Sequence, residues 1–271
     1  MDTRYNQDIG TAKMSKDFFW EVSRGHVPGH RLVHKFGHNG AVTTLTPVCD
    51  GGVYQTPTAA VTIAAISDDV DDTAAGAGAQ QLTIEYLDSD FVEQIGTLEM
   101  NGTTETTETI TDVLRIVRAY VSRSGTYATS AAGSQQGTIT FRVASAGATW
   151  GTIPEIGITG MGVGQSLIGA YTVPAGHTAY VISQQASVEI SGSKAADIYF
   201  FARSNADDVA TPFSGVMRMK GLTASVAGVN QAAHKSYEEY AAKTDIGFMA
   251  YAATSAGVSV DFEILLVADG Y

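Results

Sequence analysis

Four of the chain's six histidines fall in "GHVPGHRLVHKFGHNG", residues 25–40, at His26, His30, His34 and His38. Imidazole is the commonest metal ligand and the side chain that titrates nearest neutrality. A spacing of four would stack these rings on one face of a helix. The local residues refuse that helix. Pro28 costs about 3 kcal/mol in a helix interior, and the flanking Gly25 and Gly29 about 1 kcal/mol each. In an extended segment, residues four apart lie roughly 13 Å apart, whereas zinc needs each nitrogen within about 2.1 Å. The run reads as an ordered extended peptide that leans on another surface, with no structural metal.

Three other groupings could do chemistry. Asp68, Asp69, Asp71 and Asp72 in "SDDVDDTAAGAG" offer carboxylates for calcium. The EF-hand alternation, its glycine and its closing glutamate are absent, so a solvated turn between strands is expected. "GMGVGQS" has the glycines of a phosphate loop, but no lysine follows and beta-type segments lie on both sides. It reads as a flexible linker. Cys49, the single cysteine, excludes an intrachain disulfide. A thiol nucleophile needs a held base and a lowered pKa, and a small buried cysteine is the expectation. No carboxylate pair stands in a diagnostic setting. The expectation is therefore no catalytic residue, no cofactor and no bound metal.

Charge is unevenly placed. The net charge is −12, made of +2 over residues 1–40, −10 over 41–160 and −4 over 161–271. An acidic body repels nucleic acid and anionic membrane, and no apolar run reaches the about 18 residues of a membrane span. The N-terminal residues lack the apolar core of a signal peptide. A cytoplasmically made protein that binds neither nucleic acid nor membrane is expected.

These groups must be positioned by the rest of the chain. "SKDFFWEVSRG" (15–25) predicts one short helix, with Ser15 as cap, Asp17 in the first turn and Gly25 at its end. Met14, Phe18 and Val22 form a stripe with Phe19 beside it, while Trp20 points elsewhere. Aromatic residues at this density need burial, on the chain's own body or in a neighbouring subunit. Beyond Gly37 the pattern is beta. Strands are predicted at 59–66, 82–87, 94–100, 113–123, 137–143, 166–173, 178–190, 196–204, 213–222, 245–254 and 258–268. In the last, Val258, Val260, Phe262, Ile264 and Leu266 line one face, and Ser259, Asp261 and Glu263 the other. Such alternation marks antiparallel sheets. Asn101-Gly102 signals a hairpin into a threonine-rich edge strand, "TTETTETIT". "NQAAHKSYEEYAAK" (230–243) allows a helix with a weak apolar stripe. The whole predicts an all-β fold of two antiparallel, jelly-roll-like β-sandwich domains at 41–160 and 161–271. An N-terminal anchoring arm, 1–40, carries the short helix.

The phrases "EVSRGHVPGHRLVHKFGHNG", "DDTAAGAGAQQLTIEYLDSD", "EMNGTTETTE", "LRIVRAYV", "GTITFRV" and "GQSLIGAYTVPAGHTAYV", in this order, resemble a family of tailed-phage virion structural proteins. His26, His38 and Gln80–Gln81 depart from that family's pattern, and no site is carried across. The resemblance implies a non-enzymatic particle component of β-sandwich modules, located in the virion and assembled in the host cytoplasm. It would decorate or stabilise the head or the head–tail junction, as a capsid-decoration, vertex or collar component. The alternative is a tail fibre or receptor-binding protein recognising a host surface glycan. Implied partners are other virion proteins, from the capsid, connector or tail, with a homotrimer as the expected state. The anchor residues are Phe18, Phe19, Trp20, Val22, His30, Leu32, His34 and Phe36, with residues 1–36 binding neighbouring subunits and the acidic body folding without them. Elemental analysis of the purified protein should find zinc well below stoichiometric. A stoichiometric ion whose removal unfolds the segment would contradict the extended-spacing argument.

Overall fold

The computed structural model describes residues 17–125, 134–156, 161–189, 195–204, 206, 218–226, 228–233 and 237–271. The chain is nearly all β, in small antiparallel sheets, with one short α-helix among the described residues. The elements are α1 (Phe18–Ser23), β1 (His30–Val42), β2 (Thr46–Pro47), β3 (Val61–Ser67), β4 (Ala79–Leu87), β5 (Glu93–Glu99), β6 (Ile110–Val113), β7 (Arg115–Ser124), β8 (Ile139–Val143), β9 (Thr149–Ile153), β10 (Glu155–Ile156), β11 (Met161–Gly162), β12 (Ala170–Thr172), β13 (His177–Val188), β14 (Ala195–Arg203), β15 (Arg218–Val226), β16 (Gly228–Ala233), β17 (Glu239–Tyr240), β18 (Asp245–Tyr251) and β19 (Ala256–Ala268).

One sheet has the order β6-β3-β8-β9 and a second β5-β4-β7. Ile63, Ile139 and Phe141 of the first meet Leu82, Ile84 and Leu98 of the second in one apolar cluster. A third sheet runs β1-β19-β13-β16 with β17 added on β13, and a fourth runs β12-β18-β14-β15 with β2 added on β18. Between these two, Phe200, Phe248 and Phe262 form a ring cluster with centroids 4.9–6.0 Å apart. β10 and β11 pair as a two-stranded sheet. The arrangement of these small sheets is propeller-like, in place of the two sandwich domains expected from the sequence.

Several expectations are corrected by pairing. Residues 30–40 do not belong to a separate arm. β1 pairs with β19 from His30↔Val267 to Asn39↔Val258 and again at Val42↔Ala256. Two thirteen-residue strands of matching alternation satisfy each other's backbone groups, which a free extended arm would leave to water. β1 itself runs through the 40/41 boundary, and β2 joins β18 across the 160/161 boundary. The Asn101-Gly102 turn does not close a hairpin. Gly102 accepts from the Ser67 amide and donates to the Asp72 carbonyl, and the chain passes to β6, which pairs with β3 in the other sheet. The threonine-rich stretch before β6 is turn and bend, not an edge strand. Within 230–243 there is no helix among the described residues. β16 and β17 lie there, drawn to the open side of β13. The 113–123 strand is broken at Leu114 into β6 and β7.

A buried ion cluster joins the second and fourth sheets. Arg115 on β7, Arg203 on β14 and Asp245 on β18 are each at most 3% exposed. Arg115 Nε donates to Asp245 Oδ1 at 3.1 Å, and Arg203 donates to Oδ2. The Thr172 hydroxyl donates to Oδ1 as well. The other Arg115 donors reach the carbonyls of Pro57, Leu114 and Ala206. Asp245→Ala removes the shared carboxylate and strands two buried guanidinium groups. It should cost about 3–5 kcal/mol in urea unfolding. A loss of about 1 kcal/mol or less, as at an exposed pair, would contradict this role.

Candidate functional site

β1 sorts its residues by parity. Lys35, Gly37 and Asn39 point inward and are buried, while His30, Leu32, His34, Phe36 and His38 stand on the outer face. Ser259, Asp261, Glu263 and Leu265 of β19 share that face through the ladder. α1 lies on its apolar half. Asp17 caps the helix, with Oδ1 accepting from the amides of Phe19 at 2.9 Å and Trp20 at 3.2 Å. Gly25, at φ +70°, ends it as expected. Ser15 and Met14 lie outside the described residues. Six residues cannot hold a helix alone. Val22 is buried with Val27 and Leu265, and Phe18, Phe19, Leu32, Tyr180, Ile182 and Val267 pack around them.

The eight residues singled out in the sequence therefore gather on one face, with different exposures. Val22 is engaged by the chain's own sheet. Phe18 packs edge-on against the His30 ring at 5.8 Å. Trp20 is 62% exposed. His34 and Phe36 lie beyond the helix, with their rings 5.7 Å apart. The four histidines have separate partners. His26 Nδ1 lies 2.8 Å from Glu21, His30 Nδ1 2.8 Å from the Pro28 carbonyl, His34 Nε2 2.9 Å from Asp261 and His38 Nδ1 2.9 Å from Ser259 Oγ. Among the described residues, no group of three His, Cys, Asp or Glu is placed to hold a metal ion.

Two hollows flank this row. One, of about 500 Å³, is lined by His34, Phe36, His38, Gln185, Ser187 and Asp261. The other, of about 470 Å³, lies beside α1 among Phe19, Trp20, Leu32, Ile182, Tyr237 and Glu263. Gln185 and Ser187 were not singled out in the sequence. Alternation already set Asp261 and Ser259 on one face of the last strand, but only the ladder shows which strands lie beside it.

No family model matches the chain, and no curated protein matches it. Solved structures similar to it include "Structure of infectious bursal disease virus Gx strain", at 9% identity over 88% of this chain and 76% of that chain, TM-score 0.21. Another is "Crystal structure of infectious bursal disease virus VP2 subviral particle", at 8% identity over 89% and 77%, TM-score 0.19. Likeness at these TM-scores carries no argument about this chain.

The acidic loop is not a wholly solvated turn. Asp72 is fully buried and accepts from the Ser67 hydroxyl and from the amides of Ala79, Gln136 and Gly137. Asp68 accepts from the Thr138 amide, and Asp69 from that of Asp71. These donors satisfy the enclosed Asp72 side chain from inside the fold. Cys49 is buried, which pushes its thiol up to about 12. That is the opposite of an activated nucleophile.

Lys35 is the unusual group on the inner side of β1. Its Nζ donates to the Val117 carbonyl on β7. Burial, reinforced by Arg118, lowers its pKa from the ordinary 10.5 to about 7. The unfolded chain thus binds this proton more tightly than the folded chain. Lys35 costs most below pH 7, and stability rises as pH climbs from about 7 toward 10.5, by at most about 1.4 kcal/mol per pH unit. Lys35→Met should flatten the pH dependence of urea unfolding between pH 7 and 8, below the range where the unfolded Cys49 thiol begins to ionise. An unchanged slope would show that Lys35 stays charged in the fold.

Proposed function

We propose that this chain is a non-enzymatic structural component of a tailed-phage virion, held to neighbouring virion proteins by the surface around α1. In this reading it decorates or stabilises the head or the head–tail junction, as a homotrimer assembled in the host cytoplasm. It binds other virion proteins rather than nucleic acid or membrane. The observation that carries the reading is Trp20. It stands 62% exposed beside a hollow lined by Phe19, Leu32, Ile182 and Tyr237. Tryptophan beside an apolar hollow is the composition of a binding hot spot. The order of phrases resembling virion structural proteins supplies the particle context.

The anchoring surface is narrower than residues 1–36, because His30–Phe36 is already paired with β19. Cutting the chain at Phe36 would remove half of an edge strand and test folding instead of anchoring.

The discriminating variant is therefore Trp20→Ser in the full chain. Hot-spot truncations cost about 2 kcal/mol or more, which is over tenfold in affinity. Binding to particles lacking this protein should fall by at least that factor, with the melting temperature unchanged. Full-affinity binding by the variant would defeat the anchoring reading.

A further inference from the structure

We propose that the hollow on the open half of the outer sheet face, centred on Phe36, is a binding site for a neutral saccharide. It uses residues other than those of the helix seam, so it stands or falls separately from the anchoring reading.

The chemistry is set by three adjacent strands. β1 contributes His34, Phe36 and His38, β19 contributes Ser259 and Asp261, and β13 contributes Gln185 and Ser187. Register fixes their order, since Phe36 faces Asp261, which faces Gln185, and His38 faces Ser259, which faces Ser187. A pyranose has an apolar face of C–H bonds and an edge of hydroxyls. It needs a flat apolar plate ringed by groups that both donate and accept. Phe36 is a half-buried ring flanked by two imidazoles, with hydroxyl, amide and carboxylate groups across from it. A few placed polar groups around an apolar floor is the usual composition of a small-ligand site, and about 500 Å³ is within the usual size.

Two observations sharpen the class of ligand. His34 Nε2 is held by Asp261 and His38 Nδ1 by Ser259, so both rings are already oriented and little ordering is left for binding. Each ring keeps its second nitrogen for a ligand hydroxyl. Gln185 and Ser187 make no side-chain hydrogen bond among the described residues and offer free donors and acceptors. The lining holds one carboxylate, matched to His34, and no lysine or arginine. With no permanent cation in the lining and a chain net charge of −12, an anion is disfavoured here. The polar lining suits a neutral, hydroxyl-rich ring.

Saturation-transfer NMR on the full chain tests this, with glucose, galactose, N-acetylglucosamine, maltotriose, lactose and chitotriose as neutral probes and N-acetylneuraminic acid as the anionic one. At least one neutral probe should receive transfer. Phe36→Ala and the fully surface variant Gln185→Ala should each weaken its binding by about tenfold, the scale of a lost plate or hydrogen bond. Trp20→Ser should leave it intact. No transfer to any neutral probe, transfer that survives both variants, or stronger binding of N-acetylneuraminic acid would overturn the proposal. So would a change of oligomeric state in Phe36→Ala without sugar binding, which would mark the face as a contact between copies.

Discussion

The ladder between β1 and β19 decides which residues of the N-terminal strand meet solvent and which meet the core. A strand alternates its side chains with period two, so a slip of one residue would invert both faces. Gly37 locks the register. A Cβ placed on it would lie 2.1 Å from the Val48 carbonyl oxygen and 2.3 Å from the Gly169 nitrogen. Only glycine fits that approach. With Gly37 fixed, Lys35 must reach inward to Val117, and His34, Phe36 and His38 must stand outward. The helix seam and the polar hollow both inherit their positions from this register.

Inside, the apolar clusters supply the bulk driving force of folding, and the buried charges supply alignment. The two arginines on Asp245 connect β7 with β14 and β18 and so fix one core against the other. Lys35 connects β1 with β7 across the same junction. Such groups contribute little net stability compared with apolar substitutes, yet they are costly to break. They act as directional ties between sheets, whose apolar faces alone would tolerate sliding. Asp72 does the same within the acidic loop, where its accepted hydrogen bonds tie β4 to the segment before β8.

What the sequence made legible was local. Alternation in residues 258–268 predicted both the strand and its buried face, and Phe18, Val22 and Gly25 marked a short helix whose tryptophan points away, with Asp17 as its cap where Ser15 was expected. Proline and glycine in the histidine run excluded a helix, although residues 27–29 are bend and turn and the extended backbone begins at His30. The pairing was not legible. Asn101-Gly102 describes the shape of a turn, but the partner of the next strand is set by Ser67 and Asp72, far from it in kind and purpose. The helical reading of 230–243 ignored the unfilled edge of β13. Asp68 to Asp72 look alike as letters, and only packing shows that Asp72 is enclosed. Polar residues of the hollow come from three strands up to 227 positions apart, as between His34 and Asp261, a juxtaposition that no local pattern contains.

The central claim is that the surface around α1 is where this protein meets its neighbours on a particle. Hydrogen exchange resolves it directly, comparing the free full-length chain with the chain bound to particles that lack it. The amides of Phe18–Ser23 should exchange quickly in the free chain, since one six-residue helix on a sheet face opens at little cost. They should become strongly protected on the particle, while β5 and its exposed Ile95 stay unchanged. Protection confined to β5, or none gained at Phe18–Ser23, would contradict the account.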